Sequence, residues 1–186
     1  MVSVKHISRK NMKKLLIAFL IILSTGCKNT ESAVVFTPEA LQQEIFDPEG
    51  NQTTVGEAIS QFKGNKIVID LWASWCRDCI VSMPEIAQLQ QKYPEVKFLF
   101  FSVDDKQENW LYALESHMYP NNVKGEQYFF NTGWKRPKSP DSKENNFIKF
   151  AKLDWIPRYM VLDSNGKIIN FYAKSVDDPH FLEALK

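Results

Sequence analysis

Hydrophobic and polar residues follow one another along this chain in the pattern of an α/β protein. The continuous apolar runs "KIVIDLWAS" and "VKFLFFSVD" are typical of buried strands. Between them, apolar residues from Asp78 to Tyr93 recur at helical spacing, and Pro84 inside this pattern predicts a kink. Thr54 and Glu57 have the spacing of a capping box, which predicts a short helix ending near Gly64.

The second half of the chain adds strands and helices of the same kind. "QENWLYALESHM" and "NNFIKFAKL" predict helices, with a short strand at 127–130 between them. "IPRYMVLDSNGKIINFYA" predicts two strands joined by an Asp-Ser-Asn-Gly turn, and "DDPHFLEALK" predicts a terminal helix capped by Asp178 with Pro179 in its first turn. Upstream, "VVFTPEALQQEIFDPEGNQTT" predicts a hairpin or irregular strand pair. This order predicts one α/β domain, a central mixed β-sheet flanked by helices.

The N-terminus has the organisation of a secretory signal. Residues 1–14 carry five basic residues and no acid, and they precede the apolar stretch "LLIAFLIIL" and the small residues of "STGC". Nine apolar residues are too few to span a bilayer, which takes about 20. Since "MKKLLIAFLIILSTGC" is a complete signal by itself, the start is either Met1 or Met12.

The end of this signal resembles the lipobox of bacterial lipoproteins, where a cysteine is diacylated and the chain is cut just before it. The cysteine here is Cys27, and Ser24 replaces the usual leucine three residues earlier. Ordinary cleavage and an uncleaved anchor remain as alternatives. The resemblance implies a signal peptide at 1–26, a tether at 27–36, a domain at 37–186, and a periplasm-facing membrane lipoprotein of the cell envelope.

Charge narrows the range of partners. Removal of residues 1–26 leaves 18 basic and 22 acidic residues, so the mature chain carries a net charge of about −4. Apart from the N-terminus, no segment is markedly basic, which excludes nucleic acid as an expected partner.

Two cysteines remain after Cys27, and they lie three positions apart in "WCRDC". A disulfide between Cys76 and Cys79 closes too small a loop to stabilise the chain much by loop entropy. A zinc site needs about four ligands, and only His117 and His180 remain in the mature chain. At the start of a helix, unpaired N–H groups favour a thiolate, so the pair predicts redox chemistry with Cys76 as nucleophile and Cys79 as resolving thiol.

These residues also match a family. "VIDLWASWCRDCIVSMPEI" resembles the active-site segment of thioredoxin, and "WIPRYMVLDSNGKII" resembles its cis-proline followed by a strand, a turn and another strand. With the lipobox-like signal and an insert at 106–153, the chain resembles the ResA/TlpA-like extracytoplasmic thiol–disulfide oxidoreductases. The resemblance implies a thioredoxin-like fold with an N-terminal hairpin extension and an insert before the cis-proline strand.

The resemblance implies roles for further residues. Pro157 would be cis and would pack against the cysteine pair, which leaves the backbone of Ile156 free to bind an extended substrate peptide. Trp75 would shape the substrate surface, although packing is the simpler role for this tryptophan. Pro84 matches the proline that kinks the active-site helix.

Asp70 matches the buried acid that exchanges a proton with the resolving cysteine of thioredoxin. Burial should raise its pKa and make it a usable base near neutral pH. The alternative is a partly exposed acid at the strand end with no proton role. The lysine that accompanies the acid in thioredoxin is absent, because the matching strand has the sequence "FLFFSVD".

The insert is rich in aromatic residues, for which core packing is favoured over a docking groove. They are Trp110, Tyr112, Tyr119, Tyr128, Phe129, Phe130 and Trp134.

The expected function is disulfide exchange with exported proteins through their thiols or disulfides, with a membrane thiol reductase as a possible electron donor. No metal is expected, and no cofactor beyond the redox-active disulfide Cys76–Cys79. The alternative is a copper-binding or copper-delivery protein on the same fold, while a peroxidase is disfavoured because "SWCRDC" lacks Thr-x-x-Cys. The direction of electron flow stays open, with reduction favoured by family precedent.

Overall fold

The computed structural model describes residues 34–134 and 144–186. The predicted signal peptide, Cys27 and the basic segment 135–143 lie outside these residues. The strands are β1 (Glu44–Phe46), β2 (Gln52–Thr54), β3 (Ile67–Trp72), β4 (Lys97–Ser102), β5 (Glu126–Phe129), β6 (Arg158–Leu162) and β7 (Ile168–Ala173). The α-helices are α1 (Pro38–Leu41), α2 (Val55–Ser60), α3 (Arg77–Val81), α4 (Met83–Lys92), α5 (Gln107–Ala113), α6 (Asn146–Phe150) and α7 (Pro179–Leu185).

The strands form one mixed sheet in the order β2-β1-β5-β4-β3-β6-β7, which confirms the predicted architecture. β3 lies near the centre, parallel to β4 and antiparallel to β6, and β4 is also parallel to β5. All six residues of β3 are buried, which explains why its sequence is a continuous apolar run. Asp70 is the acidic residue in this run.

The N-terminal extension contains the predicted hairpin, in which β1 and β2 pair antiparallel with Glu44 opposite Thr54. The capping box is also present: the Thr54 hydroxyl accepts from the Glu57 N–H, and the Glu57 carboxylate accepts from the Thr54 N–H. The sequence did not predict α1, whose first turn contains Pro38 after the N-cap Thr37. Ahead of it, Val34 and Phe36, which the sequence assigns to the tether, pack partly buried against the core.

The predicted kinked helix after the cysteines is in fact two helices, α3 and α4, that meet at Ser82. Pro84 lies in the first turn of α4. Proline has no N–H, and its ring clashes with the carbonyl group four residues earlier, here that of Ile80. The helical path therefore breaks two residues before the proline instead of bending at it.

The insert contributes both a strand and core side chains. Its predicted helix is α5, which continues into a π-helical turn at Leu114–Met118, and its predicted strand is β5. Trp110 is fully buried and stacks on Phe129 with ring centroids 5.5 Å apart, so core packing is the role of these two residues. Tyr112 and Tyr119 are exposed.

Within the described ranges, no helix has the length and apolar character needed to cross a membrane.

Candidate active site

Cys76 and Cys79 form a disulfide bond where the chain leaves β3 and enters α3. Cys76 is the N-cap of α3, and its Sγ accepts a hydrogen bond from the Cys79 N–H at 3.1 Å. Both cysteines are buried, while Trp75 beside them is 54% exposed. The structure thus joins the two residues for which the sequence predicts redox chemistry.

The loop that carries Cys76 is held in place by Asp104, a fully buried acid just after β4. Its carboxylate accepts hydrogen bonds from the Ser74 N–H at 2.9 Å, the Ser74 hydroxyl at 2.6 Å and the Ser102 hydroxyl at 2.7 Å. Sequence reasoning assigned Asp104 no role. The available signal was its place in "FSVD": β3 and β4 are parallel, so the residues after them meet at one edge of the sheet.

Asp70 lies inside β3, opposite Phe100 of β4 and Tyr159 of β6. Its residue surface is only 3% exposed, and its Oδ1 has no hydrogen-bond partner among the described residues. Burial raises the pKa of Asp70 well above its ordinary value. These observations exclude a partly exposed acid at the strand end and agree with the buried acid that the resemblance implies.

A hydrogen-bond chain connects Tyr159 with the backbone of the resolving cysteine. The Ser82 hydroxyl donates to the Cys79 carbonyl at 2.8 Å and lies 3.2 Å from the Tyr159 hydroxyl. Because Ser82 has a single hydroxyl proton, the Tyr159 hydroxyl must be the donor in the second bond. Burial, with a smaller contribution from the charge of Asp70, raises the pKa of Tyr159 well above its ordinary value, which keeps the phenol protonated. Neither Tyr159 nor Ser82 was singled out in the sequence.

The Ile156–Pro157 peptide bond is cis, as the resemblance implies. Within the described residues, the backbone N–H and C=O of Ile156 make no hydrogen bond. The side chain of Ile156 is buried and lines the same cleft as Cys76.

This cleft, which we call the tryptophan cleft, has a volume of about 210 Å³. Its lining consists of Trp75, Cys76, Arg77, Asp78, Trp134, Trp155 and Ile156. Trp75 and Trp134 stack with ring centroids 6.2 Å apart, and Trp155 is 45% exposed. Sequence reasoning included Trp134 among the aromatic residues of the insert but overlooked Trp155, whose only signal is its place in "WIP".

The segment before β6 that carries Trp155 is fixed by the buried Arg158. The guanidinium donates to the Ala151 carbonyl at 3.2 Å, pairs with Asp154, and lies 3.6 Å from the centre of the Tyr172 ring. The Tyr172 hydroxyl in turn donates to the Asp154 carboxylate at 3.0 Å. A planar guanidinium suits this combination of hydrogen bonding and ring stacking.

In the part of the chain that the structure describes, no group of three or more histidine, cysteine or acidic side chains is arranged to hold a metal ion.

Known proteins resemble the chain in both sequence and structure. The family model described as Thioredoxin-like matches residues 64–168, more than half of the chain. Thiol-disulfide oxidoreductase ResA of Bacillus cereus is 25% identical over 169 residues, which cover 87% of each chain. Thioredoxin-3 of Saccharomyces cerevisiae is 40% identical over 43 residues. Among solved structures, the solution structure of a candidate thiol–disulfide oxidoreductase from Bacteroides vulgatus has a TM-score of 0.59 at 25% identity. The match covers 81% of this chain and 88% of that chain.

The shared length differs among these relatives. The chain spans 34% of Thioredoxin-3 and 36% of Thioredoxin H-type of Fagopyrum esculentum, because those matches are confined to 43 and 42 residues. The family model, in contrast, extends from the start of β3 past the cysteine pair and the cis-proline to the beginning of β7. By its sheet order, its cysteine pair and this match, the chain belongs to the thioredoxin-like family.

Proposed function

We propose that the protein is a thiol–disulfide oxidoreductase that exchanges disulfides with other proteins through Cys76 and Cys79. The observation that carries the proposal is the disulfide itself, which lies next to a partly exposed tryptophan and to the backbone of Ile156, unpaired among the described residues. The ResA relatives, which bear the name thiol-disulfide oxidoreductase, support it.

In the reductive direction, the thiolate of Cys76 attacks one sulfur of a substrate disulfide. The substrate S–S bond breaks, a mixed disulfide forms, and the first substrate sulfur leaves as a thiolate that takes up a proton. The thiolate of Cys79 then attacks the Cys76 sulfur and releases the second substrate thiol. The substrate gains two electrons and two protons, and the enzyme is left with the Cys76–Cys79 disulfide.

Asp70 serves as the base in the second step. As a carboxylate, it accepts the thiol proton of Cys79 and so generates the attacking thiolate. Its raised pKa brings it closer to the acidity of a thiol, which makes the proton transfer easier than it would be to an ordinary aspartate.

The decisive test is the reduction of insulin disulfides by the mature domain in the presence of dithiothreitol, followed by turbidity. Cys76→Ser removes the nucleophile and should lower the rate to that of dithiothreitol alone. Tyr112→Ala, which removes an exposed aromatic side chain from α5, is the matched control and should keep the full rate. Full activity in the Cys76→Ser variant would refute the proposal.

For its location, we propose an extracytoplasmic protein anchored to the membrane by a lipid on Cys27. There it reduces exported proteins and receives electrons from a membrane thiol reductase. The basic and apolar N-terminus and the lipobox-like "STGC" support this placement. Lipid on a single cysteine would concentrate the domain near the membrane surface, where exported chains emerge.

The anchor is tested by fractionating cells that express the full chain or its Cys27→Ser variant. The full chain should sediment with membranes and incorporate labelled fatty acid, and the variant should lose the label. Equal labelling of both proteins would show that Cys27 is not the lipidated residue.

A further inference from the structure

We propose that the tryptophan cleft selects substrates with a large uncharged apolar or aromatic side chain two residues from the reacting cysteine. Trp155 and Trp134 are the specificity-determining residues. The inference rests on the proposed function, since it concerns the substrate peptide that reacts with Cys76. It adds which class of peptide the cleft favours.

The cleft is continuous with the reactive disulfide. Cys76 and Ile156 both line it, so a peptide that pairs with the free backbone of Ile156 lies directly beside the reacting sulfur. In an extended peptide, successive side chains point to opposite faces. The side chain two residues from the substrate cysteine therefore lies on the same face as that cysteine and enters the cleft while the cysteine faces Cys76.

The volume of the cleft suits one side chain. Pockets for small molecules measure roughly 300–1,000 Å³, whereas this cleft has about 210 Å³. A separate small-molecule ligand would be poorly enclosed, but a single leucine, phenylalanine or tryptophan side chain of a bound segment can fill the space.

The lining favours an uncharged occupant. Trp75 and Trp155 leave large indole surfaces in water, which an apolar side chain would cover. Lys174 already lies 5.7 Å from the centre of the Trp155 ring, so a cationic substrate side chain would meet a like charge there. Among the lining residues, Arg77 and Asp78 contribute one charge of each sign, and the Asp154 carboxylate 3.9 Å from Lys174 offsets the attraction of that lysine for an anion.

Two walls of the cleft are fixed before a substrate arrives. Asp104 holds the loop next to Trp75 through Ser74, and Arg158 holds the segment that carries Trp155 through Asp154. A preorganised aromatic surface binds with little loss of conformational entropy, so selectivity can reside in substrate binding.

The test measures the steady-state reduction, with dithiothreitol as electron donor and its own rate subtracted, of disulfide-bonded peptides that differ only in the residue two positions from one cysteine: tryptophan, leucine, alanine, lysine or glutamate. Hydroxyethyl disulfide, which has no side chain to fill the cleft, reports on the cysteine chemistry alone. We expect kcat/KM for the tryptophan and leucine peptides to exceed that for the alanine peptide by roughly tenfold or more, mainly through a lower KM. The lysine and glutamate peptides should resemble or fall below the alanine peptide.

Trp155→Ala should remove most of the preference for the tryptophan and leucine peptides and raise KM for the tryptophan peptide. Tyr112→Ala is the control for loss of an exposed ring and should keep the preference. Equal kcat/KM for all peptides, with hydroxyethyl disulfide still reduced, would overturn the inference and leave the proposed function standing. A preference for the lysine or glutamate peptide would overturn it as well. Failure to reduce any of the disulfides would overturn the proposed function itself.

Discussion

Asp70 illustrates how one buried carboxyl group connects stability with chemistry. Burial is the cause of the raised pKa of Asp70, and the side chain of its neighbour on β4, Phe100, carries no charge. The folded protein therefore holds the proton more tightly than the unfolded chain. The contribution of Asp70 to stability is therefore fully present below the ordinary pKa of 3.8 and is lost as the pH rises through the folded-state pKa, because ionisation in the core is unfavourable.

Asp70→Asn removes this ionisation. We expect the free energy of unfolding of the variant, relative to the wild type, to increase from pH 4 upward with a slope of at most about 1.4 kcal/mol per pH unit. Denaturant titrations of both oxidised proteins over a pH series measure the difference, and the oxidised state prevents the cysteines from titrating. The exposed Glu95→Gln is the control. Parallel stability curves for Asp70→Asn and the wild type would contradict the assignment.

At the scale of secondary structure, local patterns predicted the elements that have local causes. The apolar runs gave β3 and β4, Thr54 and Glu57 gave the start of α2, and the Asp-Ser-Asn-Gly turn gave the hairpin of β6 and β7. The kink was predicted at Pro84, but the helix breaks at Ser82, because the ring of Pro84 clashes with a carbonyl group four residues earlier.

The parts of the site that sequence reasoning missed depend on contacts between distant segments. Asp104 reaches Ser74 only because β3 and β4 lie side by side in parallel register. Tyr159 reaches Ser82 across 77 residues of sequence, and no spacing rule connects them. The family resemblance identified Asp70 and Pro157 from the sequence. The residues that fix the active-site loop and the cleft could be identified only from the three-dimensional structure.

At the scale of the whole molecule, the charges around the Cys76–Cys79 pair determine whether it acts as a reductant or as an oxidant of other proteins. Strong disulfide oxidants owe their potential to a reduced form that is unusually stable, chiefly through stabilisation of the thiolate. Among the described residues, such stabilisation is limited. One N–H, that of Cys79, donates to the Cys76 sulfur and favours its thiolate, but α3 has only five residues and the neighbouring Arg77 and Asp78 carry opposite charges.

The remaining charges act in the same direction. An ionised Asp70 in the core would disfavour a thiolate in the cysteine pair, and residues 27–186 have a net charge of about −4. We therefore expect a reducing potential for the Cys76–Cys79 couple, near the value of about −270 mV typical of thioredoxin and far from about −120 mV, the value of a strong oxidant. Equilibration in dithiothreitol redox buffers, followed by alkylation of free thiols, measures it. A value near −120 mV would reverse the proposed direction and make the protein a donor of disulfides to exported chains.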